Sequence, residues 1–160
     1  MHERFFESSM LLLMLLNPFF MSIYLLDLIE EMTWGVFARI LVRAGLISAA
    51  VFMLFGWVGD SVFTDLLHVR FASFLLFGGV AFLVIGVRFL LVGTQALREL
   101  RGDPEHIAGS VAMPFMVGPG TVSASVLAGS RLPLPWALLS IVTAVVVCVI
   151  SVIVLKGVHD

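Results

Sequence analysis

Five apolar runs, each long enough to cross a lipid bilayer, divide this chain. A helix needs about 20 predominantly apolar residues to span a hydrocarbon core of about 30 Å. The sequence is 61% hydrophobic and only 12% charged, with a mean hydropathy of +1.13, a composition that excludes a soluble globular domain. Strand-like alternation is absent from the sequence. It therefore predicts an all-α fold, a polytopic transmembrane helical bundle with five spans. These are Ser8 to Leu26, Ile40 to Val58, Phe71 to Val92, Ile107 to Gly129 and Leu134 to Leu155.

The one long polar stretch, residues 98–106, separates two unequal halves of a single transmembrane domain covering residues 1–160. Residues 1–97 hold three spans and residues 107–160 hold two, so the fourth span must run opposite to the first. Each half contains a similar tetrapeptide in its first span, PFFM from Pro18 and PFMV from Pro114. This pattern predicts an inverted repeat whose last span is lacking.

The distribution of basic residues predicts the orientation of the spans. With the N-terminus outside, three basic residues fall in outer segments and six, Lys156 among them, in inner segments. Because cytoplasmic loops are richer in Lys and Arg, this predicts an outside N-terminus and a cytoplasmic C-terminus. The first span is flanked by Glu3 and Glu7 rather than by a basic cluster, so we interpret it as a retained helix and not as a signal peptide.

Two of the spans contain residues that interrupt a helix in the middle of the membrane. Asn17-Pro18 lies within the first run, and Gly118-Pro119-Gly120 within the fourth. A break frees backbone groups that hydrocarbon cannot solvate, at several kcal/mol each, so it persists where protein or a water-lined cavity receives them. Ordinary kinks are the alternative, since Pro and Gly are common in membrane helices. Paired breaks in two halves are also typical of a transporter binding site, and we expect these two breaks to face each other inside the bundle.

The first break predicts a half-helix that begins at Asn17. Asn is a preferred N-cap, and Pro18 is tolerated at the first helical position. Pro18 has no N–H, so the Met14 carbonyl loses its usual partner and is available to a cation or an ammonium group. Ser22, one turn further on, is expected to extend this polar face.

The second break predicts a half-helix that restarts near Thr121. Its unpaired N–H groups and positive dipole end would point into the bundle, where a substrate carboxylate could dock. Thr121, Ser123 and Ser125 would supply hydroxyl groups around this start.

Other classes of site find little support in the sequence. No nucleophile is accompanied by a base, so no enzyme is expected, and no histidine or cysteine spacing indicates a metal site or another cofactor. Cys148 is the one cysteine, and a net charge of −2 without a basic stripe argues against nucleic acid as a partner. If a proton is carried, Asp27 is the best single candidate.

Three motifs together resemble the MarC family of bacterial inner-membrane proteins. They are Leu16-Asn17-Pro18, Phe77-Gly78-Gly79-Val80 and Pro114 to Thr121, the last of which is similar to the family pattern P-x-x-x-G-P-G-[AT]. The resemblance implies a multi-pass permease of the inner (plasma) membrane that binds a small-molecule substrate, a neutral amino acid such as alanine or glycine. It also implies coupling to a sodium or proton gradient. The residues that match the family at the two breaks, and are predicted to bind substrate, are Asn17, Pro18, Gly118, Pro119, Gly120 and Thr121.

The chain departs from that family in the number of spans. The resemblance implies six spans in two inverted groups of three, whereas five are predicted here, the absent one being the counterpart of Phe71 to Val92. The alternative function is therefore a non-transporting, truncated or accessory membrane subunit that requires an oligomer or a partner chain.

Overall fold

The computed structural model describes residues 2–25, 29–30, 32–59, 71–92 and 107–159, and within them every regular element is helical. The predicted all-α membrane bundle is confirmed. One further element, a six-residue π-helix over Val111–Met116, directly follows α5. The α-helices are α1 (His2–Leu16), α2 (Pro18–Tyr24), α3 (Trp34–Val58), α4 (Phe71–Val92), α5 (Ile107–Ser110), α6 (Pro119–Arg131) and α7 (Leu134–His159).

Several of these helices can cross a membrane. Among the described residues, three stretches are long and apolar enough, namely His2–Tyr24, which comprises α1 and α2, Trp34–Val58 and Leu134–Val158. Helix α4 covers the third predicted span from end to end. The fourth predicted span is divided among α5, the π-helix and α6. The predicted loop at 98–106 and Asp27 lie outside the described residues.

Contacts at the two ends of the bundle fix the directions of the helices. The rings of His2 and Phe5 lie edge-on to Trp136, with centroids 6.3 and 5.9 Å away, so α1 and α7 begin at the same end. At the opposite end, Lys156 of α7 contacts Ile29 and the Phe37 ring near the start of α3. Helix α3 is therefore antiparallel to α1 and α7. We call the end where α1 and α7 begin the N-terminal end of the bundle.

Small residues let the helices approach closely in the core. A Cβ atom added to Gly129 of α6 would overlap the Gly56 carbonyl group of α3. On α3, a Cβ atom at Gly45 would lie 2.7 Å from a methyl carbon of Val149 on α7. Close backbone packing of this kind is how membrane helices associate, since lipid provides no hydrophobic drive between them. It holds α3 between α6 and α7.

Lys156 was predicted to lie in the inner segment that follows the last span, but the structure places it within a helix and buries it. Helix α7 continues to His159, and the Lys156 side chain is only 1% exposed. Its ammonium group donates a hydrogen bond of 2.5 Å to the Ile29 carbonyl and lies 5.7 Å from the centroid of the Phe37 ring. The long apolar stem allows this charge to reach polar partners while the rest of the side chain packs in the core. Lys156 therefore ties α7 to the chain that follows α2.

Candidate functional site

The first helix break lies at Asn17, as predicted. Helix α1 ends at Leu16 and α2 begins at Pro18, while Asn17 between them has φ 43° and ψ 78°. Asn is one of the few residue types that adopt this left-handed conformation readily. Its Oδ1 accepts a hydrogen bond of 3.2 Å from the Phe20 N–H. Asn17 thus ends one helix with its backbone and caps the next with its side chain.

The second break is built from a wide helical turn followed by an extended residue. The π-helix contains Pro114, and its backbone hydrogen bonds span five residues instead of four. The Val117 N–H, for example, donates to the Ala112 carbonyl at 2.8 Å. Proline cannot donate to an α-helical ladder, and π-turns of this kind are frequent at functional sites. Gly118 then adopts φ −132° and ψ 171°, and α6 begins at Pro119. The predicted interruption is confirmed.

The hydroxyl group of Thr121 holds this second break together. Its Oγ1 accepts a hydrogen bond of 2.9 Å from the Gly118 N–H. Its one proton is donated to the Met116 carbonyl oxygen, 2.9 Å away, and the Gly118 carbonyl oxygen is a further acceptor at 3.0 Å. The side chain is 6% exposed, so water does not compete strongly for these bonds. The Thr121 hydroxyl is therefore committed to the backbone of the break.

The two breaks meet in one cavity of about 340 Å³, which we call the central cavity. The prediction that they face each other is confirmed, because both broken helices contribute to its walls. A volume of this size suits a small molecule. Its lining consists of Leu15, Leu16, Asn17, Phe20, Met21 and Tyr24 from the first broken helix and Met116, Gly118, Gly120 and Thr121 from the second.

Four of the six residues predicted to bind substrate line the central cavity: Asn17, Gly118, Gly120 and Thr121. The other two, Pro18 and Pro119, are not part of the lining. They are the first residues of α2 and α6, where a missing N–H costs nothing and the fixed φ starts the helix. Their contribution is to the shape of the breaks. Substrate binding by all six remains a prediction.

Among the described residues, the lining of the central cavity contains no Asp, Glu, Lys or Arg side chain. Asn17, Tyr24, Thr121 and the backbone at the start of α6 provide its polar groups. The N–H groups of Gly120 and Thr121 follow Pro119 in the first turn of α6 and have no acceptor within that helix. They lie at its positive dipole end. The Asn17 amide nitrogen has no hydrogen-bond partner among the described residues. The cavity is thus suited to a neutral ligand that carries a hydrogen-bond acceptor.

The other predicted hydroxyl groups do not reach this cavity. Ser22 donates to the Pro18 carbonyl, Ser123 to that of Pro119 and Ser125 to that of Val122, with distances of 2.7 to 2.8 Å. None of the three serines lines the cavity. The prediction that Ser22 extends the polar face of the first break was therefore wrong, and the hydroxyl groups of Ser123 and Ser125 are bonded within α6. A serine within a helix readily bonds a carbonyl of the preceding turn, above all where no water is available.

A second cavity, of about 360 Å³, lies between α1 and α6 on the N-terminal side of the central cavity. We call it the charged cavity, because Glu7 and Arg131 both line it. In the sequence, Glu7 flanks the first predicted span and Arg131 lies 124 residues later, so no local pattern brings the two together. Met14, whose carbonyl group was predicted to be available to a ligand at the first break, lines this cavity and not the central one. The lining consists of Glu7, Ser8, Met10, Leu11, Met14, Ala124, Leu127, Ala128 and Arg131.

The sequence matches a protein-family model. The model of a family described as MarC family integral membrane protein matches residues 2–158, almost the whole chain. No curated protein and no solved structure matches the sequence. In the part of the chain that the structure describes, no group of three His, Cys, Asp or Glu side chains is placed to hold a metal ion.

Proposed function

Because this chain belongs to the MarC family of integral membrane proteins, we propose that it is a permease for small neutral amino acids, with the central cavity as its substrate site. The observation that carries the proposal is the meeting of two helix breaks in one cavity. Broken helices leave backbone groups unpaired, and a membrane protein keeps such groups where protein or a water-lined cavity receives them. Two breaks that line one cavity are typical of a transporter's binding site.

The start of α6 is the proposed site for the substrate carboxylate. The N–H groups of Gly120 and Thr121 have no acceptor within α6, and the helix dipole favours a negative group there. Such a charge-assisted hydrogen bond is about twice as strong as one between neutral groups. Transfer of the carboxylate from water is thus compensated although the described part of the lining holds no cationic side chain.

Asn17 is the proposed partner of the substrate ammonium group. Its Oδ1 accepts one hydrogen bond from Phe20 and, having two lone pairs, can accept a second from the ligand. The remaining walls are mostly apolar, among them Leu15, Met21 and Met116. A charged substrate side chain would lack a partner against these walls, whereas the methyl group of alanine or the hydrogen of glycine would not.

We further propose that transport is secondary, driven by a sodium or proton gradient across the inner (plasma) membrane, with the N-terminus outside. The basic-residue asymmetry of the sequence supports this orientation. A reporter fused after residue 160 is expected to behave as cytoplasmic, and an external signal would contradict the orientation.

Uptake of labelled alanine and glycine into proteoliposomes tests the proposal directly. Purified protein is reconstituted, and uptake is followed with no gradient, with a sodium gradient and with a pH gradient. Accumulation that depends on one gradient is the expected result. Its absence for both amino acids under all conditions would contradict the permease and favour an accessory subunit.

Gly120 provides a graded test of the site. An added Cβ would lie 3.7 Å from a Leu15 methyl carbon, an ordinary contact, so Gly120→Ala is expected to fold and to bind. Gly120→Leu extends four carbon atoms toward the central cavity and is expected to abolish alanine binding. Gly35→Leu is the matched control, because no atom lies within 4 Å of a Cβ there. Normal binding by a folded Gly120→Leu variant would exclude the central cavity as the site.

A further inference from the structure

Glu7 and Arg131 lie at the same level on facing helices. Helix α6 runs antiparallel to α1, since residues toward the start of α1 and the end of α6 line the charged cavity together. Glu7 precedes Asn17 by ten residues, and Arg131 follows Thr121 by ten residues. At 1.5 Å per residue, each charge is about 15 Å from its break along the helix axis. A carboxylate and a guanidinium group therefore flank one cavity.

These two charges do not neutralise each other by direct contact. Both side chains are exposed, and neither forms an ion pair with a described residue, although both border the same cavity. The space of about 360 Å³ between the helices is instead open to a ligand. Most of the remaining lining is apolar, with Met10, Leu11 and Leu127 among its residues. A ligand that enters would meet one negative and one positive group on opposite walls.

The charged cavity also adjoins the central cavity along the same two helices. On the first broken helix, the charged cavity ends at Met14 and the central cavity begins at Leu15. On α6, the corresponding residues are Ala124 and Thr121, which are one turn apart. The two cavities therefore lie next to each other along α1 and α6, the charged cavity nearer the N-terminal end of the bundle and the central cavity at the two breaks.

We propose that the charged cavity is a second binding site, which takes up zwitterionic amino acids before they move to the central cavity. Glu7 binds the ammonium group and Arg131 the carboxylate, where the planar guanidinium can donate two parallel hydrogen bonds. A ligand with a single charge would pair with one residue and leave the other unmatched, so the pair selects for zwitterions. The passage to the central cavity rests on the proposed function, whereas binding in the charged cavity does not.

Cysteine protection measures binding in the charged cavity without any transport. Leu11→Cys is introduced into a Cys148→Ser chain, and its labelling by a small methanethiosulfonate reagent is timed in nanodiscs. Alanine is expected to slow labelling at least five-fold, and propionate or propylamine at the same concentration less than two-fold. Phe6→Cys lies on the same helix outside this cavity and is the control that should not respond. Equal protection by all three compounds, or by none, would overturn the proposal.

The charges are then tested in the same labelled chain. Glu7→Gln and Arg131→Gln should each abolish protection by alanine, whereas Glu3→Gln, which is outside the lining, should not. The double exchange Glu7→Arg with Arg131→Glu should restore at least half of the protection, because a zwitterion can bind in the reversed orientation. Protection that survives either single substitution would show that the two charges do not bind the ligand.

The outcomes separate this inference from the permease proposal. Protection by alanine that persists in Gly120→Leu, together with lost uptake, supports both sites. Protection without any uptake by the unmodified protein would leave the charged cavity established and contradict the permease. If uptake occurs but alanine gives no protection, and Glu7→Gln and Arg131→Gln keep the wild-type KM, the charged cavity is not a binding site. If the charged cavity is a binding site, Glu7→Gln and Arg131→Gln should each raise the KM of uptake at least five-fold, with kcat changed less than two-fold.

Discussion

Replacement of Thr121 by valine should destabilise the protein through the second helix break. Valine keeps the branched shape of threonine but removes the hydroxyl group. That group accepts from the Gly118 N–H at 2.9 Å and donates to the Met116 carbonyl, also at 2.9 Å. Thr121→Val therefore leaves a donor and an acceptor without their partner at a site that is largely inaccessible to water.

The magnitude follows from what happens to these two groups. A buried group left unsatisfied costs about 1–3 kcal/mol in soluble proteins. Side-chain hydrogen bonds measured in a bilayer average only about 0.6 kcal/mol, because the unfolded chain in the membrane also finds partners. With two groups affected, Thr121→Val should reduce the free energy of unfolding by about 1–6 kcal/mol, the lower limit coming from the bilayer value and the upper from the soluble one. The loosened break should also weaken alanine binding, since the N–H groups of Gly120 and Thr121 are positioned by it.

Ser123→Ala is the matched comparison on the same helix. The Ser123 hydroxyl donates to the Pro119 carbonyl within α6, and that oxygen retains its usual backbone partner when the hydroxyl is removed. The change should therefore stay within about 0.5 kcal/mol of the wild type. Thr121→Ser, which keeps the hydroxyl, should recover most of the stability that Thr121→Val loses.

Reversible unfolding in mixed micelles of increasing SDS content measures these differences, with labelled alanine binding followed in parallel. If Thr121→Val and Ser123→Ala unfold at the same SDS fraction, Thr121 is not the residue that holds the break. A loss in Thr121→Ser as large as that in Thr121→Val would refute it too, because the methyl group would then be the important part.

Three further substitutions test other contacts by the same unfolding measurement. Asn17→Ala should be less stable than Asn17→Gly by about 1–2 kcal/mol, because alanine disfavours the left-handed backbone that glycine adopts freely and is the poorer cap. Gly129→Ala should cost about 1–3 kcal/mol by forcing α6 away from the Gly56 carbonyl, while Gly35→Ala, with open space around its Cβ, should be nearly neutral. Lys156→Met keeps the apolar stem but leaves the buried Ile29 carbonyl without its donor, at about 1–3 kcal/mol. The left-handed conformation of Asn17 would be contradicted if Asn17→Ala were as stable as Asn17→Gly. The close approach of Gly129 to Gly56 would be contradicted if Gly129→Ala were as stable as Gly35→Ala. The hydrogen bond from Lys156 to Ile29 would be contradicted if Lys156→Met were as stable as the wild type.

The backbone breaks could be predicted from sequence because the responsible residues act locally. Pro18 and Pro119 lack an N–H wherever they occur, and Asn17 is suited to a cap before any tertiary contact forms. That the first and fourth spans run in opposite directions also follows from counting spans. These local rules gave the two half-helices and, together with the cost of unpaired backbone in lipid, their meeting in one cavity.

The side chains that depend on tertiary contacts could not be predicted in this way. Lys156 donates to a carbonyl 127 residues earlier in the chain, and nothing near it in the sequence indicates burial. Glu7 and Arg131 share a cavity only because α1 and α6 pack side by side. Ser123 was misassigned for the opposite reason, since its hydroxyl prefers a local carbonyl that every helix offers.

The two breaks differ in where they leave hydrogen-bond donors, and this difference gives the proposed site a direction. At the first break, the Asn17 side chain accepts a hydrogen bond from the Phe20 N–H, so this donor is not available to a ligand. Phe19, the other residue at the start of α2 with an N–H, does not line the central cavity. At the second break, the Thr121 side chain turns back to Gly118, so the N–H groups of Gly120 and Thr121 keep no acceptor within α6. Helix-start donors are therefore available to a ligand at α6 and not at α2. A zwitterion in the central cavity should then place its carboxylate toward α6 and its ammonium group toward Asn17, the same order in which Arg131 of α6 and Glu7 of α1 are arranged in the charged cavity. An amino acid could pass from one cavity to the other without turning around.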